Sequence, residues 1–189
     1  GLGHPALSAL PPRDRAFARA LAMAALRHLG PIDAALQARL KKPPPERIVN
    51  VLRLGAAQLL VLKTPPHAAV GATVDLAAAQ KGGLPFKGLV NAVLRGFTRE
   101  PPPLDDLALA APAWLAARWR AAYGAAEADA IVATIPAEPP TDLTPKVPAE
   151  DLAEALEAQA LPGGTLRSGL KGELSTWPGF AEGRWWVQD

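Results

Sequence analysis

Eight basic side chains are the residues of this sequence whose chemistry points most directly to a ligand. Lysine and arginine neutralise phosphates and release the counterions condensed on a nucleic acid, a contribution that needs no sequence code. Arginine adds two-pronged hydrogen bonding and stacking on bases. We therefore predict that an RNA would be contacted by Arg13, Arg15, Arg19, Lys63, Lys81, Lys87, Arg95 and Arg99.

The charge of the chain is divided unevenly along its length. Residues 1–99 carry 14 Lys and Arg against 4 Asp and Glu, whereas residues 100–189 carry 6 against 14. The first part therefore has a net charge of +10 and the second of −8, within a formal total of +2. A basic half of this size favours an anionic partner. The alternatives are a solvated basic surface and, for Arg95 and Arg99, cations that stabilise a helix C-terminus.

Several other classes of chemistry are disfavoured by the composition. The sequence has no cysteine, which removes disulfides, thiolate zinc sites and a cysteine nucleophile, and fits a cytoplasmic location. The three histidines, His4, His28 and His67, are scattered without the spacing of a metal site. No apolar run reaches the roughly 18–20 residues of a membrane span, so a membrane partner is not expected. We predict no catalytic, cofactor-binding or metal-binding residue in this chain.

The stretch from His67 to Phe97 has to position three of the candidate cations. Its first part predicts a helix, because one face at the spacing i, i+4, i+7 is formed by Val70, Val74 and Ala77. Gly82-Gly83 is expected to end that helix, since glycine readily takes the left-handed conformation found at helix ends.

A second helix is predicted after the two glycines, with Pro85 suited to its first turn. Its apolar stripe is formed by Leu89, Val93 and Phe97. A polar stripe at the same spacing, on another face, is formed by Lys87, Asn91 and Arg95. One side is therefore expected to be buried and the other to meet an anionic partner. Asn91 would either bond to RNA or tie a nearby backbone loop, and we favour the loop because half-buried amides need partners.

The preceding residues predict three more helices, which together with this pair form a bundle. The first runs from Asp14, as its capping residue, to Leu29, and is ended by Gly30. A short helix opens at Pro31, and a nearly apolar helix from Glu46 to Lys63 belongs at the centre of the bundle. Gly55 in that central helix predicts a close helix contact.

A second region is predicted beyond the prolines at 101–103, where the sign of the charge also changes. We expect a helical bundle over residues 1–100, and helical pieces plus a small α+β subdomain over residues 104–189. The helices are expected at 104–111, 112–123, 125–135 and 149–160, and the strands at 141–144, 165–167 and 184–187. Helical spacing places Trp114, Trp119 and Tyr123 in a core, whereas one of Trp185 and Trp186 is expected to be exposed.

Particular motifs in both regions carry a resemblance to a known family. The segments V-D-L-A at residues 74–77 and K-G-L-V-N-A-V-L-R at residues 87–95 resemble the closing half of a NusB-type RNA-binding domain. Asp14-Arg15-Ala16-Phe17 and Leu40-Lys41-Lys42-Pro43 resemble its opening. The whole pattern, through Trp177-Pro178-Gly179-Phe180 to Val187-Gln188-Asp189, is similar to the N-terminal part of the bacterial 16S rRNA cytosine-5 methyltransferase family.

The resemblance implies a mainly α fold and an RNA-binding region that recruits 16S rRNA. It also implies a following domain that binds S-adenosylmethionine and carries two catalytic cysteines, so this chain alone is expected to be inactive and to end before the core. One departure concerns residues 143–146, where many members read L-R-V-N and this chain reads L-T-P-K. The alternatives are a free antitermination-type RNA-binding protein that pairs with a ribosomal protein, and a protein–protein adaptor.

Overall fold

The computed structural model describes residues 5–188, and the chain divides into two compact units with the boundary between Ala137 and Glu138. The helices of the first unit are α1 (Pro5–Ser8), α2 (Pro12–Arg27), α3 (Leu29–Arg39), α4 (Glu46–Leu60), α5 (Pro66–Ala79), α6 (Lys87–Arg99), α7 (Ala113–Tyr123) and α8 (Ala125–Thr134). The second unit contains β1 (Thr141–Pro145), α9 (Glu150–Ala153), β2 (Ala158–Ala160), β3 (Leu166–Ser168) and β4 (Trp185–Val187). The predicted mainly α fold, with a helical bundle followed by a small sheet, is confirmed.

Helix α4 lies at the centre of the bundle, where it contacts α2, α3, α5 and α6. Its apolar residues on nearly every side supply the core, and Ile48 and Leu52 are fully buried. A Cβ atom at Gly55 would lie 2.7 Å from Leu94 Cδ1 and 2.8 Å from Thr73 Cγ2. The predicted close contact at Gly55 is therefore confirmed, because only glycine leaves room for α5 and α6 there.

Prolines begin several helices of the bundle, as their missing N–H and fixed φ allow. Pro12 and Pro66 lie in the first turns of α2 and α5, and Pro45 immediately precedes α4. Asp14 was predicted to cap the first helix, and this is wrong, because that helix begins at Pro12 and makes no side-chain capping hydrogen bond. Asp14 lies instead in the first turn, where its charge suits the positive end of the helix dipole.

Gly30 does not end a helix as predicted; it lies in the first turn of α3. A Cβ atom there would clash with the backbone carbonyl of Leu109, so the glycine permits a close approach of that segment. Leu104 also packs against the core of the bundle. The sequence boundary at residues 101–103 therefore falls inside the first compact unit, which continues through α7 and α8 to Ala137.

Two predictions for the segment after residue 100 are wrong. The helix expected at 104–111 is only a 3₁₀ turn at Leu107–Leu109, where the Ala108 N–H donates a hydrogen bond to the Asp106 side chain. The side chains of Trp114 and Tyr123 were expected in a core, but they are 68% and 61% exposed. Helical spacing fixes which residues share a face, and it does not establish that the face is covered.

The second unit is an antiparallel sheet with the strand order β2-β3-β1-β4. Its core joins Leu143 and Leu166 on the sheet to Leu152 and Leu156 on the segment that follows β1. The predicted strands are confirmed, whereas the helix predicted at 149–160 stops at Ala153. The chain then continues through a turn, and Glu157, with φ of 46°, directs it into β2. Among residues 5–188, no helix is long and apolar enough to cross a bilayer.

Candidate nucleic-acid interface

Helix α6 presents its two predicted stripes on different faces. The apolar side chains of Val93 and Phe97 are buried in the core of the bundle. Lys87 and Arg95 are exposed, and Asn91 between them is half-buried. This separation follows from the helical repeat, which brings residues four apart onto one side.

Asn91 and Arg95 form a polar pair on the exposed face of α6. Arg95 Nε donates a hydrogen bond of 3.0 Å to Asn91 Oδ1. The prediction that Asn91 ties a backbone loop is wrong, because its amide oxygen accepts from this guanidinium. The pair orients Arg95 along the helix surface, and it leaves the other guanidinium nitrogens of an exposed residue to meet an anion.

A groove of about 500 Å³ runs beside this pair, between α5 and α6. Its apolar wall is formed by Val70 and Val74 of α5, and its polar wall by Asn91, Arg95 and Thr98 of α6. His67 and Asp75 also line it. This lining thus holds one guanidinium, Arg95, and one carboxylate, Asp75, so a negatively charged group is favoured only beside Arg95.

Three of the predicted contact residues lie on a different helix. Arg13, Arg15 and Arg19 are on α2, which packs against α3 and α4. Arg13 and Arg19 are exposed, whereas Arg15 is half-buried and its Nη1 lies 3.5 Å from the Ser8 carbonyl oxygen. Lys87 and Arg95 therefore share the exposed side of α6, whereas these three arginines belong to α2.

The remaining predicted cations lie at the ends of helices in the bundle. Lys63 follows α4, Lys81 follows α5, and Arg99 is the last residue of α6; all three are exposed. A Cβ atom at Gly82, next to Lys81, would lie 3.3 Å from Arg47 Nη2. Arg47 at the start of α4 is thus a further cation near this end of the bundle that the sequence did not single out. RNA contact by any of these residues stays a prediction.

Two further arginines of the basic half, Arg53 and Arg39, have partners that join separate parts of the bundle. Arg53 Nε and Nη2 each donate a hydrogen bond of 2.7 Å to the Asp33 carboxylate, which joins α4 to α3. These hydrogen bonds raise the pKa of Arg53 above its ordinary value, against the opposing effect of desolvation. Arg39 lies 5.2 Å from the ring centroid of Phe97 and donates to the Glu100 carbonyl oxygen. Both are structural cations, and this can be recognised only from the fold.

The departure from L-R-V-N falls on a defined part of the sheet. Thr144 lies in β1 and its hydroxyl accepts a hydrogen bond of 2.8 Å from Gln188 Nε2. Lys146 follows β1 and its Nζ lies 4.9 Å from the ring centroid of Trp186, which is 55% exposed. The prediction that one of the two adjacent tryptophans is exposed is confirmed, since Trp185 is buried.

The described residues hold no group of three or more His, Asp or Glu side chains that could bind a metal ion. His28 bonds to the Ala24 carbonyl oxygen through Nδ1, and His67 lies at the start of α5. His4 and Asp189, which the sequence arguments also used, lie outside the described residues.

The helical bundle and the motifs of α5 and α6 agree with a direct family match. The chain belongs to the NusB family, whose model matches residues 4–99, more than half of its length.

Curated relatives extend the similarity beyond the bundle. The chain is 38% identical over 195 residues to a ribosomal RNA small subunit methyltransferase B of Xanthomonas campestris pv. campestris, which covers 94% of this chain and 43% of that protein. Proteins of the same name from Xylella fastidiosa (strain 9a5c) and Thermus thermophilus are 43% and 44% identical over 59% and 60% of this chain, and over 27% and 28% of their own lengths. The chain thus spans less than half of the relatives it matches.

Proposed function

We propose that this chain is the RNA-binding N-terminal region of an S-adenosylmethionine-dependent 16S rRNA cytosine-5 methyltransferase, and that it recruits and positions the rRNA. The observation that carries the proposal is the exposed face of α6, where Lys87 and Arg95 flank a half-buried amide beside a groove. The net charge of +10 on residues 1–99 supports an anionic partner. The names of the relatives support the choice of ribosomal RNA.

The bundle would act by binding energy alone. Its cations would neutralise phosphates, and the covalent link to a catalytic domain would raise the effective concentration of rRNA at the active site. The sequence holds no cysteine, so the cysteines and the S-adenosylmethionine site implied by the resemblance would belong to a part of the enzyme beyond these residues. This chain alone is therefore expected to bind RNA and to methylate nothing.

A free antitermination-type protein, paired with a ribosomal protein, would need only the bundle. The similarity to the Xanthomonas campestris protein covers 94% of the chain, well past the bundle and through the sheet. This extent supports the methyltransferase proposal over the free protein and over a general protein–protein adaptor.

Binding of 16S rRNA fragments at several salt concentrations tests the proposal. We expect affinity to fall as salt rises, with a log–log slope of about 0.7–0.9 per phosphate contact. The double variant Lys87→Gln/Arg95→Gln should reduce that slope by the amount that corresponds to about two phosphate contacts. The control is Arg118→Gln/Lys171→Gln, which removes the same charge from exposed positions outside residues 1–99. Equal losses in both variants, or an affinity independent of salt, would overturn the proposal.

A further inference from the structure

The sheet of the second unit has one face turned to its core and one turned away. Leu143, Leu166 and Trp185 point inward and are buried. Their neighbours along each strand therefore point outward, because side chains alternate in a strand. The antiparallel register sets Thr144 opposite Trp186 and Asp142 opposite Arg167 on this side. We call it the outer sheet face, and its central residues are Thr144, Lys146, Thr165, Arg167, Trp186 and Gln188.

Trp186 is the dominant group of the outer sheet face. It is 55% exposed, whereas the adjacent Trp185 is 5% exposed and donates its indole N–H to the Pro178 carbonyl oxygen. Trp186 thus adds a large aromatic surface to the outside of the unit. Lys146 Nζ lies 4.9 Å from its ring centroid, so a cation is held against the indole.

The polar side chains around Trp186 are fixed by hydrogen bonds. Gln188 Nε2 donates to Thr144 Oγ1 at 2.8 Å and to Thr165 Oγ1 at 3.1 Å, which links β4 to β1 and to the start of β3. Arg167 Nε and Nη2 each donate 2.8 Å hydrogen bonds to the Asp142 carboxylate. A ligand on this face would meet an ordered surface and would lose little entropy in ordering it.

The charges of the second unit are divided between its sides. Over residues 138–189 acidic residues outnumber basic ones, yet Lys146, Arg167 and Arg184 all lie in or beside the strands. The one acid within a strand is Asp142, whose charge is matched by Arg167. The exposed acids of the α9 segment flank the buried Leu152 and Leu156, which pack on the inner side of the sheet; these acids are Glu150, Asp151, Glu154 and Glu157. An anionic ligand is therefore favoured on the outer sheet face and repelled from the other side.

We propose that the outer sheet face binds single-stranded RNA, with an unpaired base stacked on the exposed part of the Trp186 ring that Lys146 does not cover and the adjacent phosphate neutralised by Lys146. Every base has a π-face, so an exposed indole accepts unpaired bases with little sequence preference. Bases within a duplex are already stacked and do not offer that face. This site goes beyond the proposed function, which rests on the cations of the bundle, and it places a second contact in the acidic half of the chain.

The test is the affinity of the whole chain for a short single-stranded RNA and for the same RNA as a duplex. Trp186→Ala should weaken single-strand binding at least about fivefold, since one base–aromatic stack is worth that much or more. Duplex binding and the salt slope should stay unchanged, because no charge is lost. Trp186→Phe should retain most of the affinity, and Trp114→Ala serves as the matched control, since Trp114 is 68% exposed on α7.

The outcomes separate this site from the bundle. If Trp186→Ala leaves single-strand affinity unchanged, or lowers single-strand and duplex affinity equally, the stacking site is overturned. If Trp186→Ala weakens single-strand binding while Lys87→Gln/Arg95→Gln changes nothing, the stacking site stands and the bundle proposal fails. If Lys87→Gln/Arg95→Gln weakens binding while Trp186→Ala changes nothing, the stacking site is overturned and the bundle proposal stands. If Trp114→Ala lowers the affinity for single-stranded RNA as much as Trp186→Ala does, the stacking site is also overturned.

Discussion

The two units are built on different kinds of core. The described part of the bundle core joins seventeen buried residues, of which Phe97 is the sole aromatic, and its helices approach closely through small residues such as Gly55. The described core of the second unit joins six buried residues, two of them tryptophans. The bundle distributes its packing over many contacts, whereas the sheet unit depends on a few large ones. The exposed side chains differ in a similar way: the face of α6 carries two cations, Lys87 and Arg95, whereas the outer sheet face carries one large aromatic side chain, Trp186.

The largest expected effect on stability comes from truncating a fully buried leucine side chain in each unit. Leu52→Ala and Leu143→Ala should each lower the free energy of unfolding by about 2–5 kcal/mol, since each leaves a cavity. Denaturant titrations followed by circular dichroism and by tryptophan fluorescence measure this in a Trp114→Phe/Trp119→Phe background, where the remaining tryptophans, Trp177, Trp185 and Trp186, all lie in the second unit. We expect Leu143→Ala to lower the midpoint of the fluorescence transition more than Leu52→Ala does, because the core around Leu143 has fewer other contacts. A larger shift of that transition with Leu52→Ala would contradict the comparison.

A second expected effect concerns close packing in the bundle. Gly55→Ala should destabilise the protein by about 1–3 kcal/mol, since the new methyl group would press on Thr73 and Leu94. Gly71→Ala is the control, because it lies in α5 with no atom within 4 Å of a new Cβ. That control should gain up to about 1 kcal/mol from helix propensity. Thermal unfolding of the pair measures both, and a stabilised Gly55→Ala variant would be incompatible with this packing.

A smaller effect is expected from two arginine–aspartate pairs of similar geometry. The side chains of Arg53 and Asp33 are 25% and 27% exposed, so Arg53→Met should cost about 1 kcal/mol after solvent screening. Arg167 is 44% exposed, and Arg167→Met should cost less. The check is to measure the free energy of unfolding of both variants, Arg53→Met and Arg167→Met, at low and at high salt. A greater loss with Arg167→Met would reverse the order that burial predicts.

The smallest effect is a pH dependence in the sheet unit. Hydrogen bonds from Arg167 hold the pKa of Asp142 below its usual value of 3.8, against desolvation. A depressed pKa in the folded state contributes stability above the unfolded value, and that contribution is lost as the pH falls through the folded value. The difference in stability between the wild type and Arg167→Met should therefore shrink below about pH 4. A difference that grows on acidification would contradict the assigned pairing.

Much of the bundle could be predicted because its helices are separated by prolines and their apolar residues repeat at helical spacing. Val70, Ala77, Val93 and Phe97 are buried as that pattern predicts. The turn at Glu157 could not be predicted, since a left-handed glutamate has no local sequence signal. The exposure of Trp114 was missed for another reason, because burial of a helix face depends on what covers it.

The candidate site was predictable in type and only partly in detail. The polar stripe of α6 follows from spacing alone, and the structure confirms that Lys87 and Arg95 are exposed. The pairing of Asn91 with Arg95, the engagement of Arg39 and Arg53, and the platform around Trp186 all depend on contacts within the fold. Side chains of the same type differ in role according to their partners, and a sequence does not state those partners.

The central claim is that α6 carries an RNA-binding face. Backbone amide chemical shifts of the whole chain, recorded while a 16S rRNA fragment is added, test it most directly. The account predicts that the largest changes fall between Lys87 and Arg99 and at the α5 residues that line the groove, including Val70 and Val74. Changes confined to α7 and α8, with α6 unaffected at saturating RNA, would contradict it.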